Sequence, residues 1–444
     1  MNDDLTQYVN WFRHSSPYIN AHRGKTFVLM LGGEALADNN FANIIHDIAL
    51  LNSLGVKLVL IHGSRQQIEE KLSQQQVKTR LHHHLRVTDS ETLKYVIEAA
   101  ATQRIEIEAK LSMGLANSPM HGAQIRVCGG NFVTARPVGI FEGIDLCNTG
   151  EVRRIDKQAI RQQLDHNNIV LLSHLGYSPT GEIFNLSVED VATQTAIALK
   201  ADKLILFGSE KGVMDSKDSL RSELLADTAE RLVKQYKAKL TSPERSTELS
   251  RNLAAAAKAC KNGVPRSHLL SYKQDGALVS ELFSRNGTGT MVIEQSYEQV
   301  RSATIEDVGG VLELIQPMEQ AGVLVRRSRE RLEAEIHHFT VVDLDGAIIG
   351  CAALYPFPEE HAGELACVAI APEYRGGDRG DKLLQALEES ARKQQLFKLF
   401  VLTTRTAHWF IERGFSELNV TELPTQKQTL YNYQRNSKAF AKAL

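Results

Sequence analysis

The sequence predicts an α/β protein of two domains, an N-terminal doubly wound sandwich followed by a C-terminal α+β domain. Three observations carry that expectation. Short apolar runs alternate with helical stripes from Thr26 to Phe207; a glycine-rich turn joins a strand to a helix between Glu364 and Leu384; and one pattern stops before the next begins near Asn286–Gln299. A chain of 444 residues also exceeds what one core normally fills. The expected division is 1–295 and 296–444.

Composition narrows the function classes. The 51 basic and 53 acidic residues nearly balance, so no field steers the chain to nucleic acid or to a membrane surface. Hydrophobic content of 43% fits a globular protein. The N-terminus, MNDDLTQYVN, is acidic and polar, and no apolar run reaches membrane-spanning length, so neither a signal peptide nor a membrane segment is expected. The five cysteines, Cys128, Cys147, Cys260, Cys351 and Cys367, include no CxxC pair, which favours a reducing cytoplasm. Cys367 is read as a small buried residue and not as a nucleophile.

In order, Leu5–Ala21 places Tyr8, Val9, Phe12, Tyr18 and Ile19 at helical spacing, a helix expected to pack on an apolar surface. Thr26–Leu31 is a buried strand running into Gly32-Gly33, Phe41–Leu54 a helix, and Lys57–His62 a second buried strand. The alternation continues through Ile169–Ser173, Val188–Leu199, Lys203–Phe207 and Gly212-Val213. His82-His83-His84 invites a metal reading, but neighbours in a strand or helix point apart and no cysteine or carboxylate cluster accompanies them. A solvated face, and no metal, is expected. Asp227–Glu248 reads as an exposed helix leading into a loop at Thr241-Ser242-Pro243, and Arg251–Cys260 as a strong helix. Asn286–Gln299 is the linker zone.

The second half opens with Arg301–Ile305 as a strand and Asp307, Val308, Val311, Leu312 and Ile315 as a helix. Phe339–Asp343 and Ala347–Leu354 form a hairpin about Asp345-Gly346. Cys367–Ile370 is an apolar strand ended by Ala371-Pro372; Arg375–Gly380 is the glycine-rich turn, and Leu383, Leu384, Leu387 and Ala391 recur at helical spacing. A strand, a glycine turn and a helix N-terminus together form an anion site, because the first helical N–H groups lack partners. KLFVLTT (398–404) is a strand and RTAHWFIERGF (405–415) a helix closing on Gly-Phe.

From about Arg301 onward these motifs resemble the GNAT acetyltransferases, whose acyl-CoA turn is matched by Arg375 and Gly380. The resemblance implies acetyl-CoA as co-substrate, held by Cys367, Val368, Arg375, Gly376, Gly377, Arg379 and Gly380. Asp378 stands where a glycine is usual, a negative charge for Arg375, Arg379 and Lys382 to offset.

From about Thr26 to Thr290 the chain resembles the amino-acid kinase fold, through Gly32-Gly33, His62-Gly63, Arg86-Val87-Thr88-Asp89, Asn185, Lys211-Gly212-Val213 and Gly287-Thr288-Gly289-Thr290. Phosphoryl transfer needs cations and a donor-rich loop at the phosphates. Met30 stands where such kinases carry a lysine, Gly63-Ser64-Arg65 replaces three glycines, and Asn185, Ser187 and Glu189 replace an Asn-x-Asn-x-Asp run. The first domain is therefore expected to bind a small molecule rather than to phosphorylate one.

A kinase-like domain without kinase residues, fused to a GNAT domain, resembles the bacterial amino-acid acetyltransferases of arginine biosynthesis. That family implies acetyl transfer to the α-amino group of L-glutamate, inhibition by L-arginine at the first domain, and a ring-like cytoplasmic homo-oligomer, a hexamer. The reaction needs a base for the α-ammonium, for which Glu364 at the mouth of the active strand is the candidate. Backbone N–H groups near Cys367 and Val368 serve the oxyanion. Thr403 or Thr404, with water as an equal rival, protonates the thiolate, since Phe410 stands where many relatives carry tyrosine. Arg326, Arg327, Lys427 and Arg435 are the candidates for glutamate's carboxylates. On the family resemblance, Tyr18, His268, Glu281 and Gly287 form the effector pocket, with Glu281 facing the guanidinium. The competing readings are an active acetylglutamate kinase and a catalytically dead arginine sensor.

Overall fold

The computed structural model describes residues 2–444 except 79, 115–118, 216, 240–246, 285–286, 295–297, 345, 376, 405 and 430–436, and except the side chains of 2–5, 7, 8, 237–239 and 373. The chain divides into two compact units, Met1–Gln295 and Ser296–Leu444. Among the described residues no helix is long and apolar enough to cross a membrane.

The first unit is built on an eight-stranded sheet ordered Glu223–Leu225, Thr290–Ile293, Arg266–Ser271, Lys203–Gly208, Thr26–Leu31, Lys57–His62, Ile169–Ser173, Val127–Cys128. Every pairing is parallel except that of Arg266–Ser271 with Thr290–Ile293. A strand covered on both faces must be apolar on both, which explains the continuous run TFVLML. Val28 and Met30 enter one core with Val59 and Ile61; Phe27, Leu29 and Leu31 enter the opposite core with Leu58 and Leu60. The helices Val188–Leu199 and Glu248–Lys261 cover the first face, capped by Ser187 and Thr247, whose hydroxyls accept from the Asp190 and Ser250 amides. Phe41–Ser53 and Ser90–Leu111 cover the second.

Several expectations change. The N-terminal helix is Asn2–His22, but of its aromatics Trp11 and Phe12 face outward at 45% and 57% exposure, while Tyr18 and Ile19 pack on the core. The helix Ala226–Lys239 is amphipathic and not simply exposed, since Ala229 and Val233 are buried; Thr241-Ser242-Pro243 lies outside the described residues. Gly212-Val213 forms no strand. The linker zone is shorter than expected because Thr290–Ile293 is a strand held between two neighbours, with Val292 and Ile293 buried.

The second unit is a seven-stranded sheet ordered Glu298–Ser302, Phe339–Leu344, Ala347–Phe357, Ala362–Ile370, Lys398–Thr403, Lys438–Ala443, Ser416–Leu418. All pairings are antiparallel except that of Ala362–Ile370 with Lys398–Thr403. This parallel ladder runs only from Ala362↔Lys398 to Leu365↔Val401; beyond it the two strands part. The cause lies on the other edge. Ala366 faces Ala353 and Ala369 faces Cys351, so Cys367 and Val368 together oppose Ala352, and Cys367 takes the left-handed φ of +53°. Such a bulge bends its strand and increases its twist. The helix of the 405–415 segment is shorter than expected, Ala407–Ile411, and ends through Gly414 at φ +86°.

One prediction concerns the first unit. Glu189 meets Arg251 at 2.7 Å, both side chains largely buried, and ties the start of one covering helix to the other. Burial pushes the Glu189 carboxyl up, but Arg251 and the Ser187 hydroxyl more than offset it and hold it at about 2. Glu189→Gln should destabilise the unit by about 3–5 kcal/mol, the usual cost of stranding a buried partner, measured as a lower urea midpoint. Because the folded value lies below the ordinary 4.5, this contribution is complete above that pH and is lost as pH falls towards 2. The variant should therefore lose much of the wild type's acid sensitivity in that window.

Candidate active site

Where the two strands of the second unit part, a cavity of about 590 Å³ opens, lined by Arg327, Glu335, Tyr355, Glu364, Cys367, Val368, Thr403, Thr404, Phe410, Lys427 and Ser437 among others. Its size falls within the range of ligand pockets. Glu364 lies at the last part of the parallel ladder, 7% exposed, directly across from Tyr355. Lys427 Nζ is 2.7 Å from its Oε2. Lys427 thus lines the cavity but also supplies the counter-charge that a nearly buried carboxylate needs, a pairing that the separate assignments of the two residues did not anticipate.

Arg327 and Arg326, adjacent in sequence, differ in environment. Arg326 is exposed and does not line the cavity, whereas Arg327 does, with a buried Nε that has no hydrogen-bond partner. Burial works against its charge, but Cys367, Tyr355 and Glu335 outweigh that and hold the guanidinium above the ordinary arginine value. Tyr355 donates to Glu335 at 2.6 Å; burial and that carboxylate push the phenol above its usual range. Arg435 lies outside the described residues.

Past Leu365 the outer edge of the active strand has left its parallel neighbour, so its backbone at Cys367 and Val368 borders the cavity instead of a ladder. Cys367 is 6% exposed, as expected of a packing residue. Thr403 ends the facing strand; its hydroxyl lies 2.8 Å from that of Thr406 and accepts the Thr406 amide, while Thr404 is exposed.

The glycine-rich turn leads into the helix Arg379–Lys393, with Asp378 at its N-cap. Gly376 lies outside the described residues and Gly377 is exposed. The expected offset of Asp378 by three cations is corrected: Lys382 pairs with it at 3.2 Å, but Arg379 is bound to Glu298 at 2.7 Å and lies over Tyr374, and Arg375 donates to the Ile370 carbonyl. Gly380 has a packing reason as well, because a Cβ there would come within 2.9 Å of the Trp409 ring.

In the first unit three of the four effector candidates come together. His268 Nδ1 is 2.7 Å from Glu281 Oε1, and Oε2 accepts the amides of Thr288 and Gly289 at 2.6 and 3.0 Å. Gly287 has φ +60°, and a Cβ there would lie 2.5 Å from Oε2, so the loop fits only glycine. Burial opposes the Glu281 charge, but His268 and the two amides hold the carboxyl at about 2. Tyr18 lies on the N-terminal helix, against the second core.

The sequence reading missed Tyr355, Glu335 and Ser437. Tyr355 faces Glu364 across the sheet, yet the strand register that pairs them depends on where the ladder is read from. Ser437 lies two residues beyond the arginine that was singled out, and a polar residue near a candidate cation was the available signal.

Residues 25–271 match the amino acid kinase family and residues 310–415 the acetyltransferase (GNAT) family. The amino-acid acetyltransferase of Azotobacter vinelandii is 58% identical over 444 residues, covering 99% of this chain and 100% of that one. The amino-acid acetyltransferase of Pseudomonas aeruginosa strain LESB58 is 56% identical with the same coverage. N-acetylglutamate synthase from Neisseria gonorrhoeae, complexed with coenzyme A and L-arginine, has a TM-score of 0.86 at 35% identity, over 98% of this chain and 99% of that one. The same protein complexed with coenzyme A and N-acetyl-glutamate has a TM-score of 0.62 at 35% identity. With relatives more than half identical along its length and both family patterns in order, the chain belongs to the amino-acid acetyltransferases, enzymes that here join an amino acid kinase fold to a GNAT domain.

Proposed function

We propose that this acetyltransferase moves the acetyl group of acetyl-CoA to the α-amino group of L-glutamate, giving N-acetyl-L-glutamate and CoA, as the first step of arginine biosynthesis. The observation that carries the reading is the cavity at the parted strands, which joins a nearly buried carboxylate, Glu364, to a half-buried arginine, Arg327, whose Nε is buried and unpartnered. Likeness to a synthase complexed with coenzyme A and N-acetyl-glutamate supports it.

Acetyl-CoA supplies the activated thioester. Glu364, directly or through a water, takes a proton from the α-ammonium, and the freed amine attacks the thioester carbonyl. The N–H groups at Cys367 and Val368 receive the oxyanion as the C–S bond weakens. The thiolate leaves and is protonated by Thr403, Thr404 or water. Arg327, and Lys427 where it borders the cavity, hold the glutamate carboxylates, with Ser437 as an added donor. The turn before Arg379–Lys393 receives the CoA pyrophosphate at the helix N-terminus.

The first unit, on this reading, is an arginine sensor. Met30 is 2% exposed and embedded in the core where a phosphate-binding lysine is absent, and the neighbouring cavity, at about 80 Å³, is smaller than the usual ligand pocket. Glu281 uses three of about four lone-pair sites, leaving one towards a guanidinium. Likeness to the arginine-complexed synthase supports the assignment. The reading extends to a cytoplasmic homo-oligomer, a hexamer, for which the outward Trp11 and Phe12 offer an apolar face.

Three outcomes test the reading. Glu364→Gln should lower kcat about 10²–10⁴-fold with acetyl-CoA binding retained, and wild-type turnover across the pH range would retire Glu364 as the base. Arg327→Met should raise the glutamate KM by the equivalent of about 2–5 kcal/mol with little change in the KM for acetyl-CoA, whereas Arg326→Met should leave both nearly unchanged. Arginine inhibition, measured as IC50, should weaken sharply in Glu281→Gln; unchanged inhibition would place the effector elsewhere.

A further inference from the structure

The three-histidine run left unassigned by the catalytic reading lies at the tip of a hairpin in the first unit. Leu81–His82 pairs with Leu85–Arg86, and the two turn residues His83 and His84 both have left-handed φ, +45° and +64°. Two-residue turns of this hand favour asparagine and glycine, and histidine there is held at a conformational cost. The same turn defeats the expectation that adjacent histidines point apart. It breaks the strand alternation, and the rings of His82 and His83 come to lie 4.6 Å apart.

A second hairpin, Ile140–Phe141 with Ile144–Asp145, meets the first. Its turn residues Glu142 and Gly143 are also left-handed, at +48° and +80°. Glu142 Oε2 lies 2.7 Å from His83 Nε2 and 3.5 Å from His82 Nε2, and the ring of Phe141 is 5.6 Å from each imidazole. His82 Nε2 is buried and has no hydrogen-bond partner. One ligand atom from each of His82, His83 and Glu142 falls within 4.8 Å of the others. The missing carboxylate of the sequence reading therefore comes from a residue some sixty positions away in the chain, as the same contact records.

The geometry points to a divalent transition-metal site formed by His82, His83 and Glu142, with zinc as the fitting ion. Two imidazole nitrogens and one carboxylate oxygen are its usual donors, and bonds of about 2.0–2.2 Å in a tetrahedron set ligand atoms about 3.3 Å apart; the His82–Glu142 separation of 3.5 Å is close to this, and His83 would give up its 2.7 Å hydrogen bond to Glu142 and move outward to admit the ion. The fourth position would be water, since Glu142 is 56% exposed. The ion would pin one hairpin to the other. Leu81, His84 and Leu85 of the first hairpin also line the cavity beside Met30, so the same ion would fix one wall of that cavity.

The turns supply variants that remove ligands without endangering the fold. His83→Asn and Glu142→Asn place a residue that favours left-handed turns where histidine and glutamate are strained. Titration of the full-length protein with zinc chloride, followed calorimetrically, should show one equivalent bound at micromolar affinity or tighter, weakened at least 10-fold in each variant and unchanged in His84→Asn. Zinc should also slow amide exchange over residues 81–86 and 140–145 in the wild type and not in Glu142→Asn. No saturable binding by the wild type, or equal binding by all variants, would overturn the site and leave the contact an ordinary His–Glu hydrogen bond.

Discussion

The catalytic unit depends on one backbone constraint. The strand Ala362–Ile370 must pair with Ala347–Phe357 along its length and with Lys398–Thr403 along only part of it. The extra residue at Cys367–Val368 meets both demands, since a bulge turns the strand away from its parallel neighbour while the antiparallel ladder resumes at Ala369↔Cys351. Without that turn the sheet would close and its backbone donors would be spent on a ladder. With it, a cavity forms at sheet depth, walled by backbone and by the side chains of Glu364 and Arg327. The left-handed conformation of Cys367 is strain of the kind that persists only where surrounding packing enforces it, and Cys367 sits in the unit's hydrophobic core.

The elements were legible in the sequence because the sheets are buried. TFVLML, KLVLIH and KLFVLT are runs whose two-sided burial leaves no polar alternation to confuse. The bulge was not legible, because a glycine usually signals such a position and here a cysteine occupies it. The Glu364–Lys427 contact was equally hidden, since it joins a strand to a helix about sixty residues later, and the sequence offers a separate role to each residue without a sign that they pair. The outward face of the N-terminal helix was misread for a related reason: a sequence stripe reports that aromatic residues share a spacing, not that anything in the same chain covers them. Arg379 was assigned to the anion site from its place in the motif, while the acid that holds it, Glu298, lies at the far end of the sheet order.

In the first unit, residues at the former phosphate end and in the proposed effector loop are used internally. Met30 fills core volume, Glu189 is neutralised by Arg251, and Glu281 is bound by a histidine and two amides. The two carboxylates thus find their counter-charge and donors within the fold itself. The kinase architecture persists because its two apolar faces stabilise the sheet whatever chemistry its loops carry.

The strand Thr290–Ile293 has a consequence for how the chain is made. It lies second from the edge of its sheet, between Glu223–Leu225 and Arg266–Ser271, although it is the last strand of the first unit in sequence. As the polypeptide leaves the ribosome, the sheet keeps an empty slot until residue 293 has emerged, with Glu223–Leu225 waiting for the strand it pairs with. The first unit therefore stays open until nearly all of it has been made, and by the time residue 293 leaves the exit tunnel the first strand of the acetyltransferase half has already been synthesised.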